Sequence, residues 1–423
     1  MPFDADPAMP FTGASPAALD LYHQALEAYH CFAGEPIGLL GQAIADSPGF
    51  TMARLLKAWL PMTGSTPSLA AWSASLFAEA KDLPMNDREG GYAAAVGHML
   101  AGRFSAAGRL FEDISIAWPH DTLALQAGQQ VDFLTGEARM LRDRIARVLP
   151  RWDARRPGYH ALLAMHAFGL EECGQYARAE AAGREAIALQ PRNGWAQHAV
   201  AHVLEMQDRR AEGVQWMTED RDRWTRDSFF IVHNSWHLAL FHLGLGEIDR
   251  VLALYDDTVR GLGSEMAFDL ADASALLWRL RLRGIEVGDR WTDLADAWAV
   301  AGGEGVLAFN DAHAAMAFVG AGRLEAARAM LAVQERAAAG AGDNAAAARR
   351  VGVDLVAGLI AFGEGRYGAA VDHLRPIRNR AWLFGGSHAQ RDVIDLTLIE
   401  AARRDGQAAL VAALEAERRL AGG

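Results

Sequence analysis

Gly174-Gln-Tyr176-Ala-Arg-Ala179 recurs along the chain as Gly102-Arg-Phe104-Ser-Ala-Ala107, Gly322-Arg-Leu324-Glu-Ala-Ala327 and Gly365-Arg-Tyr367-Gly-Ala-Ala370, with weaker copies at Gly136, Gly246, Gly284 and Gly406. With Asp208 standing where the others have glycine, successive anchors from Gly102 to Gly322 lie 34, 38, 34, 38, 38 and 38 residues apart, and the last two intervals are 43 and 41. That period belongs to a helix-turn-helix unit. Glycine ends the first helix, the large residue packs the turn, and alanine lets the next helix cross closely. Apolar residues follow helical spacing on both sides of each anchor, and no run alternates as a half-buried strand would. The reading is an all-α, right-handed α-solenoid of degenerate repeats, about ten or eleven helical pairs long.

This pattern resembles a tetratricopeptide array. Residues 1–14, with Pro2, Pro7 and Pro10, read as an extended arm, and the first helix is expected to start near Ser15-Pro16. Residues 15–423 then form a single solenoid domain. The small-residue run Ala337–Ala348 reads as a loop that lengthens the interval before Gly365.

Composition narrows the function classes. The chain has 423 residues, 51% of them hydrophobic, enough to bury a large core. A net charge of −12 argues against nucleic acid as the main partner. Cys31 and Cys173 form no spacing motif, so neither a disulfide framework nor a thiolate metal site is indicated. Lys57 and Lys81 are the only lysines, which leaves almost no candidate for Schiff-base chemistry. No apolar run is long enough to span a membrane, and the acidic start Met-Pro-Phe-Asp-Ala-Asp is unlike a secretory signal, so a cytoplasmic location is expected.

The chemistry concentrates on histidine. His198-Ala-Val-Ala-His202 and His233-Asn-Ser-Trp-His237 place two HxxxH pairs on consecutive helical segments, each pair on one helix face. Neither has the glutamate of a HExxH zinc protease motif. Measured from their anchors, His166, His198, His237 and His313 stand 8, 10, 9 and 9 residues before the turn. His160, Trp195, His233, Asp272 and Asn310 form a second tier about one helical turn earlier. In this repeat class first helices line an inner groove, so the stripe of His166, His198, His202, His233, His237, Asp272, Asn310 and His313 would share it, with Glu171, Glu205 and Asp311 close by. The plainer reading is that each imidazole is satisfied by a backbone carbonyl, as a single histidine on the apolar helix around His313 would be. His30, His98 and His242 are assigned to that class. Recurrence in one register favours a functional cluster, because desolvating so many imidazoles without a ligand is costly.

The blocks His160 to Gly244, Asp272-Ala-Ser-Ala-Leu-Leu-Trp278, Phe309-Asn-Asp-Ala-His313 and Gly386-Ser-His388-Ala-Gln390-Arg391-Asp392 resemble the tetratricopeptide repeat protein 38 family over roughly residues 15 to 410. The resemblance implies a solenoid of degenerate repeats and no particular reaction. It adds His388, Gln390, Arg391 and Asp392 to the groove residues.

Two functions stay open. One is a small-molecule, hydrolase-like enzyme in which a groove histidine activates water. His198, His202, His233, His237, Asp272, His313 and His388 would be catalytic, and Trp195, Glu205, Asn234, Trp236, Asn310, Asp311, Gln390, Arg391 and Asp392 would bind substrate. A divalent metal on His198, His202, His233 and His237 is one form of it, and the metal-free form is preferred because the spacing identifies no ion. The alternative is a non-catalytic scaffold that binds a protein or peptide. Homo-oligomerisation is left open, since the amphipathic Leu410–Leu420 segment could pair with another copy.

Overall fold

A computed structural model describes residues 9–301 and 305–421, so most of the expected N-terminal arm lies outside the described residues. Helices follow one another throughout, and among the described residues the only β pairing is an isolated bridge between Ala33 and Ser228. The residues of interest sit on nine helices: α1 (Pro16–Cys31), α2 (Thr122–Leu134), α3 (Tyr159–Glu171), α4 (Gly194–Met206), α5 (Ile231–Leu245), α6 (Ala267–Leu282), α7 (Ala308–Gly320), α8 (His388–Arg404) and α9 (Ala408–Ala421). The chain divides into two compact units. The first is Met1–Val203 with Met217–Asn234, and the second is Leu204–Trp216 with Ser235–Gly423.

Local chemistry sets the helix ends. Ser15 accepts a hydrogen bond from the Ala18 N–H at 3.1 Å with Pro16 in the first turn, so α1 starts where the sequence placed it. At each anchor the residue takes positive φ, from 58° at Asp208 to 78° at Gly246. The next residue donates its N–H to the carbonyl five positions back, as in Gln175 to Leu170 (2.8 Å), Arg209 to Leu204 (2.9 Å) and Arg323 to Phe318 (2.8 Å). Gly102, Gly136, Gly246, Gly284, Gly365 and Gly406 close in the same way. This left-handed cap satisfies carbonyls that the helix end would otherwise expose. Asp208 can replace glycine because a short polar side chain tolerates that conformation best. The motif alanines Ala107, Ala179, Ala327 and Ala370 are fully buried, as close helix crossing requires.

The run read as a loop at 337–348 is largely helical. One helix continues to Ala339, and Asp343–Ala347 leads through a π turn at Ala348–Gly352 into Val353–Gly363. Alanine is the strongest helix former, so only the glycines at 340 and 342 interrupt the run. Gly342 has φ 96°.

In the first unit α1 departs from nearest-neighbour stacking. It lies across the stripe formed by successive first helices. Tyr29 donates to Gln130 Oε1 at 2.5 Å, and His30 donates from Nδ1 to Gln126 Oε1 at 2.5 Å and accepts at Nε2 from Thr122 at 2.8 Å. Glu27 accepts from His160 Nε2 at 3.1 Å and from Gln190 at 2.8 Å. Phe32, just past the helix, packs on Trp195 and Phe230 with ring centroids 5.5 and 4.6 Å apart.

Candidate functional site

In the first unit α3 supplies His166, Phe168 and Glu171, α4 supplies Trp195, His198 and His202, and the start of α5 supplies His233 and Asn234. His198 and His202 are one turn apart on one helix, so their rings meet at a centroid distance of 4.4 Å. The following repeat brings His233 alongside, and His198 Nε2 and His233 Nε2 face each other at 3.0 Å. One of the two nitrogens donates to the other, which fixes complementary tautomers. One ring nitrogen from each of the three lies within 4.8 Å of the others. Glu171 Oε2 stands 3.6 Å from His202 Nδ1, and neither side chain has any solvent exposure. Phe168, Trp195 and Phe230 surround the His198 ring at 5.4, 4.7 and 5.4 Å.

The imidazoles are sealed. His198, His202 and His233 are 2%, 0% and 3% exposed. This arrangement can share protons between rings or hold a metal ion through three nitrogens, but no face of it opens to a substrate. Asn234, also buried, donates to the Gly194 carbonyl at 3.4 Å and so braces α5 against α4. His166 lies a few residues away on α3, where burial, with Arg178 and Arg142, lowers it to about 4. His160 belongs to the α1 contact and accepts from Asn193 at 3.0 Å. Burial alone would raise the Glu27 carboxyl, yet the hydrogen bonds from His160 and Gln190, with His30 close by, bring it down to about 2.

The remaining sequence candidates fall in the second unit. His237 follows His233 by one turn on α5 and is buried, its ring 4.8 Å from Trp236. His313 donates from Nδ1 to the Phe309 carbonyl at 2.8 Å, the private pairing of a core histidine, and burial lowers it to about 4. Asp311 accepts from Gln334, and burial raises its carboxyl to about 6. Asp272 and Asn310 are buried on α6 and α7. Gln390 closes a capping box with Ser387 at the start of α8, His388 is half-buried beside it, Arg391 donates to the Gly386 carbonyl, and Asp392 pairs with Arg418. His30, His98 and His242 are paired structurally, with Gln126, Arg103 and Glu247 respectively.

The second unit also holds a cavity of about 420 Å³ whose arginines the residue patterns do not single out, although two of the expected site residues, Glu205 and Asp392, line it. Arg210, Arg279, Arg283, Arg403, Arg418 and Arg419 line it, against Glu205, Asp392, Glu400 and Glu415. Arg279 is buried, donates to the Ala389 carbonyl at 2.6 Å and lies over the Trp236 ring at 5.5 Å. Burial pushes the Glu205 carboxyl up to about 7 against the pull of Arg279 and Arg210, and its Oε2 has no hydrogen-bond partner among the described residues. Arg279 and Arg283 stand four apart at the end of α6, a spacing the sequence displays, but nothing local shows that they turn inward.

No family model matches the chain. Among solved structures, yeast Tom70 is similar over 92% of this chain and 88% of its own, at 9% identity and a TM-score of 0.43. Cut9 in the APC/C hetero-tetramer Cut9-Hcn1 is similar over 90% and 76%, at 12% identity and 0.41. The P58(IPK) TPR domain is similar over 96% and 91%, at 13% identity and 0.21. The fold rests on the repeated turns and helices. The chain is an all-α array of tetratricopeptide-like repeats. Among the described residues no helix is long and apolar enough to cross a membrane.

Proposed function

We propose that the protein is a non-catalytic, cytoplasmic repeat scaffold that binds an acidic peptide segment of a partner through the arginine-lined cavity of its second unit. The observation that carries this reading is the cavity's charge. Six guanidiniums face four carboxylates there, in a chain whose net charge is −12. Glu205, raised to about 7, contributes less than a full negative charge at neutral pH. Arginine forks suit planar carboxylates, and repeat arrays commonly take peptides in this way. Two free cysteines fit a reducing compartment. The blocks that resemble the tetratricopeptide repeat protein 38 family support membership of that family.

The hydrolase reading is weaker at the histidines, because exposures of 0 to 3% leave no room for substrate. One observation keeps a catalytic form alive, which is the buried Glu205 carboxyl at about 7 beside Arg279, poised as a general acid or base at neutral pH.

The test is anisotropy of a fluorescein-labelled, glutamate-rich octapeptide with a free C-terminal carboxylate, titrated with the full chain. Binding that weakens with salt and falls at least about tenfold in Arg283→Ala is expected, equivalent to about 1.4 kcal/mol. Binding unchanged in Arg283→Ala, or absent at millimolar protein, refutes it. Ester or amide turnover lost in Glu205→Gln would favour the catalytic form instead.

A further inference from the structure

His198, His202 and His233 present three nitrogens to one point from two successive repeats, and the geometry is close to that of a metal centre. A tetrahedral ion with metal–nitrogen bonds near 2.0–2.1 Å sets its ligand nitrogens about 3.3 Å apart. His198 Nε2 and His233 Nε2 are already 3.0 Å apart, and His202 offers a nitrogen within 4.8 Å of both. Small ring rotations close the remaining distance. Two of the ligands are an HxxxH pair on one rigid helix, and all three are buried, so little side-chain entropy is lost on binding.

The surroundings complete the case. A histidine bound to metal through one nitrogen usually donates its other N–H to a carboxylate. Glu171 Oε2 lies 3.6 Å from His202 Nδ1, which leaves Nε2 as that ring's metal ligand. Phe168 and Trp195 pack against the His198 ring, and Phe230 packs against the His233 ring. Imidazoles without thiolates or a carboxylate cage suit zinc and its late first-row neighbours, not calcium or magnesium.

We propose that His198, His202 and His233 bind one zinc-class divalent ion inside the first unit, with Glu171 as the residue that orients His202. On loading, the proton shared between His198 and His233 moves to the Nδ1 of its own ring, and both Nε2 atoms bind the ion. The ion fastens α4 to α5 and serves a structural role.

The test uses the full chain expressed with added zinc and, separately, with cobalt. About one metal ion per chain is expected after dialysis, with the cobalt form showing visible ligand-field bands that the metal-free chain lacks. His198→Asn/His233→Asn should lose the metal, and Glu171→Gln should weaken affinity about 10- to 100-fold with the helical circular dichroism unchanged. Substoichiometric metal in the wild type, or unchanged metal in the double variant, overturns the proposal. Should the double variant not fold, X-ray absorption of the zinc-loaded wild type decides. A nitrogen shell with imidazole outer scattering supports the site, and its absence refutes it.

Discussion

Lowering the pH from 7 to 5 should destabilise α7 through His313. The side chain is 1% exposed, donates to the Phe309 carbonyl at 2.8 Å and packs on the Phe309 ring at 4.3 Å. Burial lowers its value from 6.5 to about 4, with the Phe309 carbonyl opposing and the Arg279 charge adding slightly. The unfolded chain therefore takes up the proton first. The stabilisation from keeping the ring neutral is complete above the unfolded value of 6.5 and drains as pH falls towards 4, below which it is spent. Between pH 7 and 5 one such group removes about 2 kcal/mol. His313→Asn keeps a donor near Nδ1 and cannot titrate, so it should cost stability at pH 7 but lose about 2 kcal/mol less than the wild type on going to pH 5. Hydrogen exchange of residues 308–320 at both pH values measures this. Equal losses in variant and wild type, or a His313 Cε1–H resonance that titrates near 6.5, would refute the reasoning.

Arg144 is 1% exposed and grips Asp132 with Nε and Nη2 at 2.7 and 2.8 Å, so Arg144→Met should cost about 3–5 kcal/mol in urea denaturation, while Asp132→Leu/Arg144→Met should recover most of it. Asp208 sits at φ 58°, and thermal denaturation should rank stability as Asp208→Gly above wild type above Asp208→Ala, with steps of about 0.5–1 kcal/mol. A Cβ on Gly169 would meet the Leu141 carbonyl at 2.4 Å, and backbone cannot yield as a side chain does. Gly169→Ala should therefore lower the melting temperature by several degrees, about 1–3 kcal/mol.

The repeat was legible because its signal is local. A left-handed cap, a turn-packing residue and a crossing alanine all fall within six positions, and Asp208 obeys the same backbone rule as the glycines it stands among. The His198–His202 pair was legible for the same reason, since helical geometry alone brings i and i+4 together. The approach of His233 required the repeat register, which the anchors supplied. Exposure was not legible: nothing in the pattern shows that Phe168, Trp195 and Phe230 shut the imidazoles away. The contacts of Glu27 and His30 with His160 and Gln126 join residues 133 and 96 positions apart and leave no periodic trace. The alanine run near 340 reads ambiguously because small-residue composition marks linkers and helices alike.

The reach of α1 bears on how the chain is made. Arrays whose units touch only their neighbours can fold in step with their own synthesis. Here the stretch after α1 also ties to the far end of the first unit, with Gly34 N–H donating to Asp227 at 2.8 Å and Phe229 N–H to Phe32 at 2.8 Å. At about 5–20 residues per second, ribosomal elongation leaves the amphipathic N-terminal segment waiting about 10–40 s for those strand-like partners to emerge. Over that interval the nascent chain presents sticky aromatic surface to any chaperone at the exit tunnel. Shortened chains that stop before residue 229 would carry the same defect permanently.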